Sequence, residues 1–225
     1  MKPQRWHHGG MPYRRMSDPA YRDEQLSRLY EPHIAAINEL VDDLVATAGR
    51  GWMPHVAAIY GGVEARLLSM FRDPGPATQQ GTGSGLLCLE NDDPSAERYS
   101  TLLAEAHLPA SELVPWNAYP WYMNRKPTTA ELDAAAEPLH RLLELLPRLR
   151  VVLLRGGDAQ AGWRRFRRRY PDYRQELVIV PSYHTSRQAF WHPDPVVREA
   201  RLEKLRADLR SVSALLAEDD SITCG

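Results

Sequence analysis

Arg150-Val151-Val152-Leu153-Leu154 runs directly into Arg155-Gly156-Gly157-Asp158-Ala159, and a helical pattern follows from Ala159 to Tyr170. A short, unbroken apolar run of this kind reads as a strand covered on both faces. The glycine pair ends it in a sharp turn. Working outward, three similar runs occur at Ala65–Phe71, Leu113–Trp116 and Leu177–Val180. Helical periods lie between and after them, at Ser95–His107, Thr129–Leu146 and Pro195–Ala217. Strands that alternate with helices specify a parallel sheet with helices on both sides. The expectation is an α/β fold, a three-layer α/β/α sandwich around a central four-stranded parallel sheet.

Upstream, Leu26, Leu29, Ile34, Ile37, Leu40, Val41, Leu44 and Val45 keep a helical period from about Arg22 to Ala48. Pro32 breaks or kinks it, and Gly49 and Gly51 end it. Residues 1–20, with Gly9-Gly10, Pro12 and Pro19, read as an irregular arm. No repeat or low-complexity linker divides residues 21–225, so a single domain is expected there.

Of 225 residues, 43% are hydrophobic and 25% charged, the balance of a globular chain with a full core. No apolar run reaches the roughly 18–20 residues of a membrane span, and no apolar stretch follows the basic start to make a secretory signal. Two cysteines, Cys88 and Cys224, are too few for a disulfide framework, a thiolate zinc site or an iron–sulfur cluster, and fit a reducing cytoplasm. A net charge of −1 supplies no global basic field, so a nucleic-acid partner would have to be held by local cations.

Open α/β sheets bind ligands beyond the carboxyl ends of their strands. Those ends here are Phe71-Arg72-Asp73-Pro74-Gly75-Pro76, Pro115-Trp116-Asn117-Ala118-Tyr119-Pro120-Trp121, Arg155-Gly156-Gly157-Asp158-Ala159 and Pro181-Ser182-Tyr183-His184-Thr185-Ser186-Arg187. Between the first two lies Gly81-Thr82-Gly83-Ser84-Gly85, where backbone amides can approach a ligand closely. Together the ends carry a carboxylate, a carboxamide and an imidazole, which can orient water, read a base edge and stabilise a developing oxyanion. Taken alone, Asp73 before Pro-Gly is ordinary turn chemistry, Asn117 could satisfy loop backbone and His184 could be structural. The joint placement favours chemistry. His184 has no second His or Cys at ligand spacing, so no metal site is expected. The glycine loop lacks the Gly-Lys-Ser/Thr ending of a P-loop, and its Ser84 stands one place late for a nucleophile elbow. In Trp163-Arg164-Arg165-Phe166-Arg167-Arg168-Arg169-Tyr170 the aromatics share one helical face, which leaves the arginines around a solvated side. Arg125, Lys126 and Arg187 are better placed to meet phosphates.

These segments, in this order over about residues 60 to 210, resemble the uracil-DNA glycosylase superfamily. Phe71-Arg72-Asp73-Pro74-Gly75-Pro76 is similar to the family's Gly-Gln-Asp-Pro-Tyr-His motif. Gly81-Thr82-Gly83-Ser84-Gly85-Leu86 resembles its Gly-x-Ala-x-Gly-Leu segment, and Val114-Pro115-Trp116-Asn117 its strand ending in a pyrimidine-reading Asn. Arg155-Gly156-Gly157-Asp158-Ala159 is a looser match to Trp-Gly-x-x-Ala, and His184-Thr185-Ser186-Arg187 to His-Pro-Ser-Pro.

The resemblance implies a DNA glycosylase that flips a nucleotide from single- or double-stranded DNA and hydrolyses the bond between base and sugar. Asp73 would orient the water and stabilise the sugar cation, Asn117 would bond the Watson–Crick edge, and His184 would donate to the base O2. Arg72, Gly75, Leu87 and Tyr119 would complete the base pocket. Gly83, Ser84 and Ser186 would contact DNA, and Arg187 or Gln188 would fill the gap left by the flipped nucleotide. A monomer without cofactor is expected. Two departures stand out. Gly75 occupies the place of a Tyr that rejects thymine, so a 5-substituted pyrimidine is an expected substrate beside uracil. The stacking Phe after Gly-Leu is missing, with Leu87, Cys88 and Leu89 in its region and Tyr119 or Trp121 as candidate replacements. The alternatives are removal of a bulky modified base from foreign (phage) DNA, a non-catalytic nucleotide- or DNA-binding protein of the same fold, and an unrelated α/β hydrolase.

Overall fold

A computed structural model describes the backbone of residues 13–223 and the side chains of residues 13–218. The first twelve residues of the expected arm, with His7-His8 and Gly9-Gly10, and Cys224 at the other end lie outside the described residues. Helix α1 spans Pro19–Ser27, so the arm ends sooner than the sequence suggests. The cause is local: Asp18 caps the helix by accepting from the Ala20 amide at 3.0 Å, and Pro19 takes the first helical position, where its missing N–H costs nothing. Pro32 falls in the break before α2 (Ala35–Thr47).

Asn38 on α2 is buried, and its carboxamide accepts from the Val56 amide (2.8 Å) and donates to the Leu29 and Val56 carbonyls (2.8 and 3.0 Å). That fixes α2 against β1 (His55–Val56). The four principal strands follow the expected runs. β2 is Leu67–Phe71, and a two-residue β3 (Leu86–Leu87) pairs in parallel with β1. This small sheet was not expected, because two residues are too short to register as a pattern. Next come α3 (Pro94–Glu105), β4 (Leu113–Asn117), α4 (Thr129–Ala134) and α5 (Ala136–Glu144). One helix over Thr129–Leu146 is thus two. Pro138 has no N–H to give the Ala134 carbonyl four residues back, and the chain breaks between them. β5 is Val151–Arg155, α6 Gly157–Arg169, β6 Val178–Ser182, α7 Arg187–Phe190 and α8 Pro195–Thr223.

The main sheet is wholly parallel, in the order β4-β2-β5-β6. Pro115 and Pro181 are tolerated because β4 and β6 are its edges. Side chains alternate across it. Ser69 shares a hydrogen bond with the Tyr99 hydroxyl (2.8 Å), which turns that face toward α3 and α8. Met70 points the other way, toward Gly162 on α6, with α5 beside it. Helices on both faces make the sheet the middle of a three-layer α/β/α sandwich, and every residue of β4 and β5 is buried. Trp163 and Phe166 on α6 are buried, while Arg165 meets Asp133 (3.3 Å) and Arg167 donates to the Tyr173 and Arg174 carbonyls. The arginine run is therefore partly engaged in holding its own helix and the turn after it.

Candidate active site

β2 and β4 leave the sheet together. The amides of Ala118 and Tyr119 donate to the carbonyls of Phe71 (2.8 Å) and Arg72 (3.0 Å), so Asn117 is held beside the loop that carries Asp73. The Asp73 side chain is only 3% exposed. One of its oxygens accepts from the neighbouring Arg72 Nε, and the other, buried, has no partner. Burial raises its pKa above the ordinary carboxylate range, and the Arg72 guanidinium pulls it part of the way back. Asn117 is also buried. No hydrogen bond commits its carboxamide.

At the other side of the sheet, β6 runs out through Tyr183 to His184. The Ser186 amide donates to His184 Nδ1 at 2.9 Å. An acceptor at Nδ1 places the proton of a neutral imidazole on Nε2, so the ring presents an N–H donor. Burial, and then the positive charge of Arg155, lower its pKa to about 4; Asp93 opposes the shift and Arg72 adds a lesser push in the same direction as Arg155. The ring is therefore uncharged at neutral pH. Phe71 packs edge-on against it with centroids 5.6 Å apart. Gly156, between β5 and α6, has φ +93° and donates its amide to the Ser182 carbonyl (2.9 Å). That left-handed backbone favours glycine, and a Cβ there would lie 3.5 Å from the His184 Cβ.

These groups line one cleft of about 660 Å³, within the roughly 300–1,000 Å³ typical of small-molecule pockets. Of the residues singled out from sequence, Arg72, Asp73, Gly75, Leu87, Asn117, His184, Ser186 and Gln188 line it. Others stand elsewhere. Tyr119 is buried against Trp121 (centroids 5.2 Å apart), so neither ring reaches the cleft to replace the missing phenylalanine. Tyr60, Phe71, Tyr99 and Tyr183 are the aromatic groups in its wall, beside the His184 imidazole. Ser84 is buried, bonded to Ala77 and Leu86, and a Cβ on Gly83 would lie 2.4 Å from the Ala77 carbonyl oxygen. Both border a second hollow on the α1–α2 side. Arg187 is exposed at the start of α7, outside the cleft wall. Arg125 is paired with Glu131 (2.5 Å) and Lys126 with Asp158 (3.4 Å).

Three residues of the cleft escaped the sequence reading. Arg155 ends an otherwise apolar strand, a signal that was present in the sequence. Tyr99 and Asn91 carried none. Asn91 is buried, donates to the Leu86 carbonyl (2.9 Å) and leaves its Oδ1 unpartnered. Among the described residues no group of three or more His, Cys, Asp or Glu is placed to hold a metal ion, and no helix is long and apolar enough to cross a membrane.

The family model of the Uracil DNA glycosylase superfamily matches residues 60–210, from just before β2 into α8. The chain belongs to the uracil-DNA glycosylase superfamily. The matched span contains β2, β4, β5 and β6 and every cleft residue named above, and the three-layer sandwich is the superfamily's fold. Membership makes the protein a DNA glycosylase in the general sense, a hydrolase acting on DNA. No curated protein matches the sequence.

Proposed function

We propose that this glycosylase hydrolyses the N-glycosidic bond of uracil or a 5-substituted pyrimidine flipped out of DNA. The observation that carries the reading is the Ser186–His184 hydrogen bond, which leaves an uncharged imidazole with its N–H free for an acceptor. As the C1′–N1 bond breaks, its electron pair leaves with the base, and negative charge grows on O2. A donor already aimed at that oxygen stabilises the transition state more than the ground state. Asn117, with no partner of its own, bonds the Watson–Crick edge. Asp73 faces the sugar cation as a carboxylate, orients the water that adds to C1′ and receives its proton. The buried, unpartnered oxygen of Asp73 supports this role, because a ligand or water can satisfy it without breaking the bond to Arg72.

Oligonucleotides carrying uracil, 5-substituted uracils or modified cytosines, followed by alkali cleavage of abasic sites, test the reading. Strand scission is expected on at least one of them. Asp73→Asn should lower kcat by about 10²–10⁴-fold and His184→Ala by about 10²–10³-fold, both with unchanged circular dichroism. Scission on no substrate, with DNA binding retained, would reassign the cleft to holding a base without cutting it. Full activity in both variants would sink the mechanism.

A further inference from the structure

Ladder pairing between β5 and β6 ends at Ser182, two residues before His184. A segment that leaves a sheet needs other partners for its carbonyls. Two arginines supply them. Arg155, at the end of β5, donates from Nε to the Tyr183 carbonyl at 3.0 Å. Arg98, on α3, donates from Nη1 to the Thr185 carbonyl at 2.6 Å. The residues on either side of His184 are thus each held by a guanidinium, and Thr185 itself is buried.

Arg98 also reaches further along the same segment. Its guanidinium lies 5.7 Å from the centre of the Phe190 ring, which in turn packs against Tyr183 with centroids 6.4 Å apart. Between these two contacts Ser186 is bonded twice. Its amide donates to His184 Nδ1 at 2.9 Å, and its hydroxyl caps α7 by accepting from the Ala189 amide at 3.4 Å. Arg98 therefore grips the chain at both ends of the stretch that carries the Nδ1 bond. Its neighbours Ser95, Ala96 and Tyr99 line the cleft, but Arg98 stands behind the wall and has no access to a bound base.

The grip matters because a neutral imidazole can carry its proton on either nitrogen. With the proton on Nδ1, the ring would turn a lone pair toward the base oxygen in place of a donor. The Ser186 amide excludes that form only while residues 184–186 keep their bend. We propose that Arg98 is a positioning residue for His184: by holding the Thr185 carbonyl and the Phe190 ring it fixes this bend, and so keeps the N–H on Nε2. This rests on the glycosylase reading above and deepens it. Lysine could donate to the same carbonyl but lacks the planar cation that faces Phe190, so it replaces arginine only in part.

Two measurements test this, and one of them does not depend on catalysis. Nitrogen-15 NMR at neutral pH, with His184 assigned by comparison with His184→Ala, should show Nε2 protonated and Nδ1 unprotonated in the wild type. In Arg98→Met the two nitrogens should move toward each other as both tautomers become populated, and Arg98→Lys should lie between. On whichever oligonucleotide the wild type cuts, Arg98→Met should lower kcat by about 10–100-fold, as for a displaced catalytic group, and change KM by less than about threefold. In a His184→Ala background the same substitution should cost less than about threefold, because a residue that acts through the ring has nothing left to position. An equal loss of kcat in both backgrounds overturns the proposal, as does an unchanged tautomer in a folded Arg98→Met. If Arg98→Met does not fold, Arg98→Gln, which keeps one donor, is measured in its place, and a wild-type ring protonated on Nδ1 overturns the proposal without any variant. If no oligonucleotide is cut, the glycosylase reading fails, and the tautomer comparison still decides whether Arg98 orients the ring.

Discussion

Gly75 has φ −81° and ψ 168°, a backbone any residue adopts, and a Cβ there would find open space. Nothing in the loop needs a glycine, so its effect is to leave volume in the cleft. Gly75→Tyr should therefore fold normally and lower kcat/KM on 5-substituted bases more than on uracil; equal loss on both would argue against a size filter. A second residue-scale expectation concerns pH. Burial holds the Asp73 pKa above its ordinary value, and the proposed mechanism needs the carboxylate, so the rate should fall as pH drops through that raised value. His184 is already neutral above about 4, so no inflection should appear near its ordinary value of about 6.5. A limb there in kcat would mean that the imidazole titrates during turnover. That Asp73, Asn117 and His184 share one cleft was legible in the sequence, because each stands at or within two residues of the end of an apolar strand. Tyr99 and Asn91 were not singled out, since their place in the cleft wall is a property of the folded surroundings.

At the level of elements, α6 approaches the sheet unusually closely at Gly162. A Cβ on that residue would lie 2.7 Å from the Ala118 Cβ and 3.1 Å from the Met70 Cε. Helix propensity alone favours alanine by about 1 kcal/mol. Overpacking a site with no slack costs about 1–3 kcal/mol. Gly162→Ala should therefore lower Tm, and adding Ala118→Gly should restore much of the loss; a rise in Tm for the single variant would refute the close approach. The four strands and α6 could be read from sequence because burial on both faces makes the runs continuous. The β1–β3 pair could not, since its two residues per strand are set by the Asn38 contacts rather than by a pattern. The break between α4 and α5 follows from Pro138 and was available to a stricter reading of the same residues.

Over the whole molecule, near-neutral charge has a measurable consequence for DNA binding. Many cations near the cleft already have partners: Arg72 with Asp73, Arg125 with Glu131, Lys126 with Asp158, and Arg98 with the Thr185 carbonyl. Few phosphates can be neutralised at once, and the logarithm of affinity falls with the logarithm of salt by about 0.9 per phosphate on duplex DNA. A slope no steeper than about −3 is expected from fluorescence anisotropy across a salt series. A slope several times steeper would mean a cationic surface that these pairings hide.

The order of the strands along the chain also sets a schedule for synthesis. β2 and β4 emerge from the ribosome early, with Asp73 and Asn117 on them, but β6 joins the sheet only by pairing with β5, and α8 must then cover it. At a synthesis rate of roughly 5–20 residues per second, several seconds separate the appearance of Asn117 from that of His184. A nascent chain in that interval carries the carboxylate proposed to orient water without the imidazole proposed to meet the leaving group. On the proposed mechanism the protein is therefore born unable to cut DNA and gains that capacity only as its last strand docks.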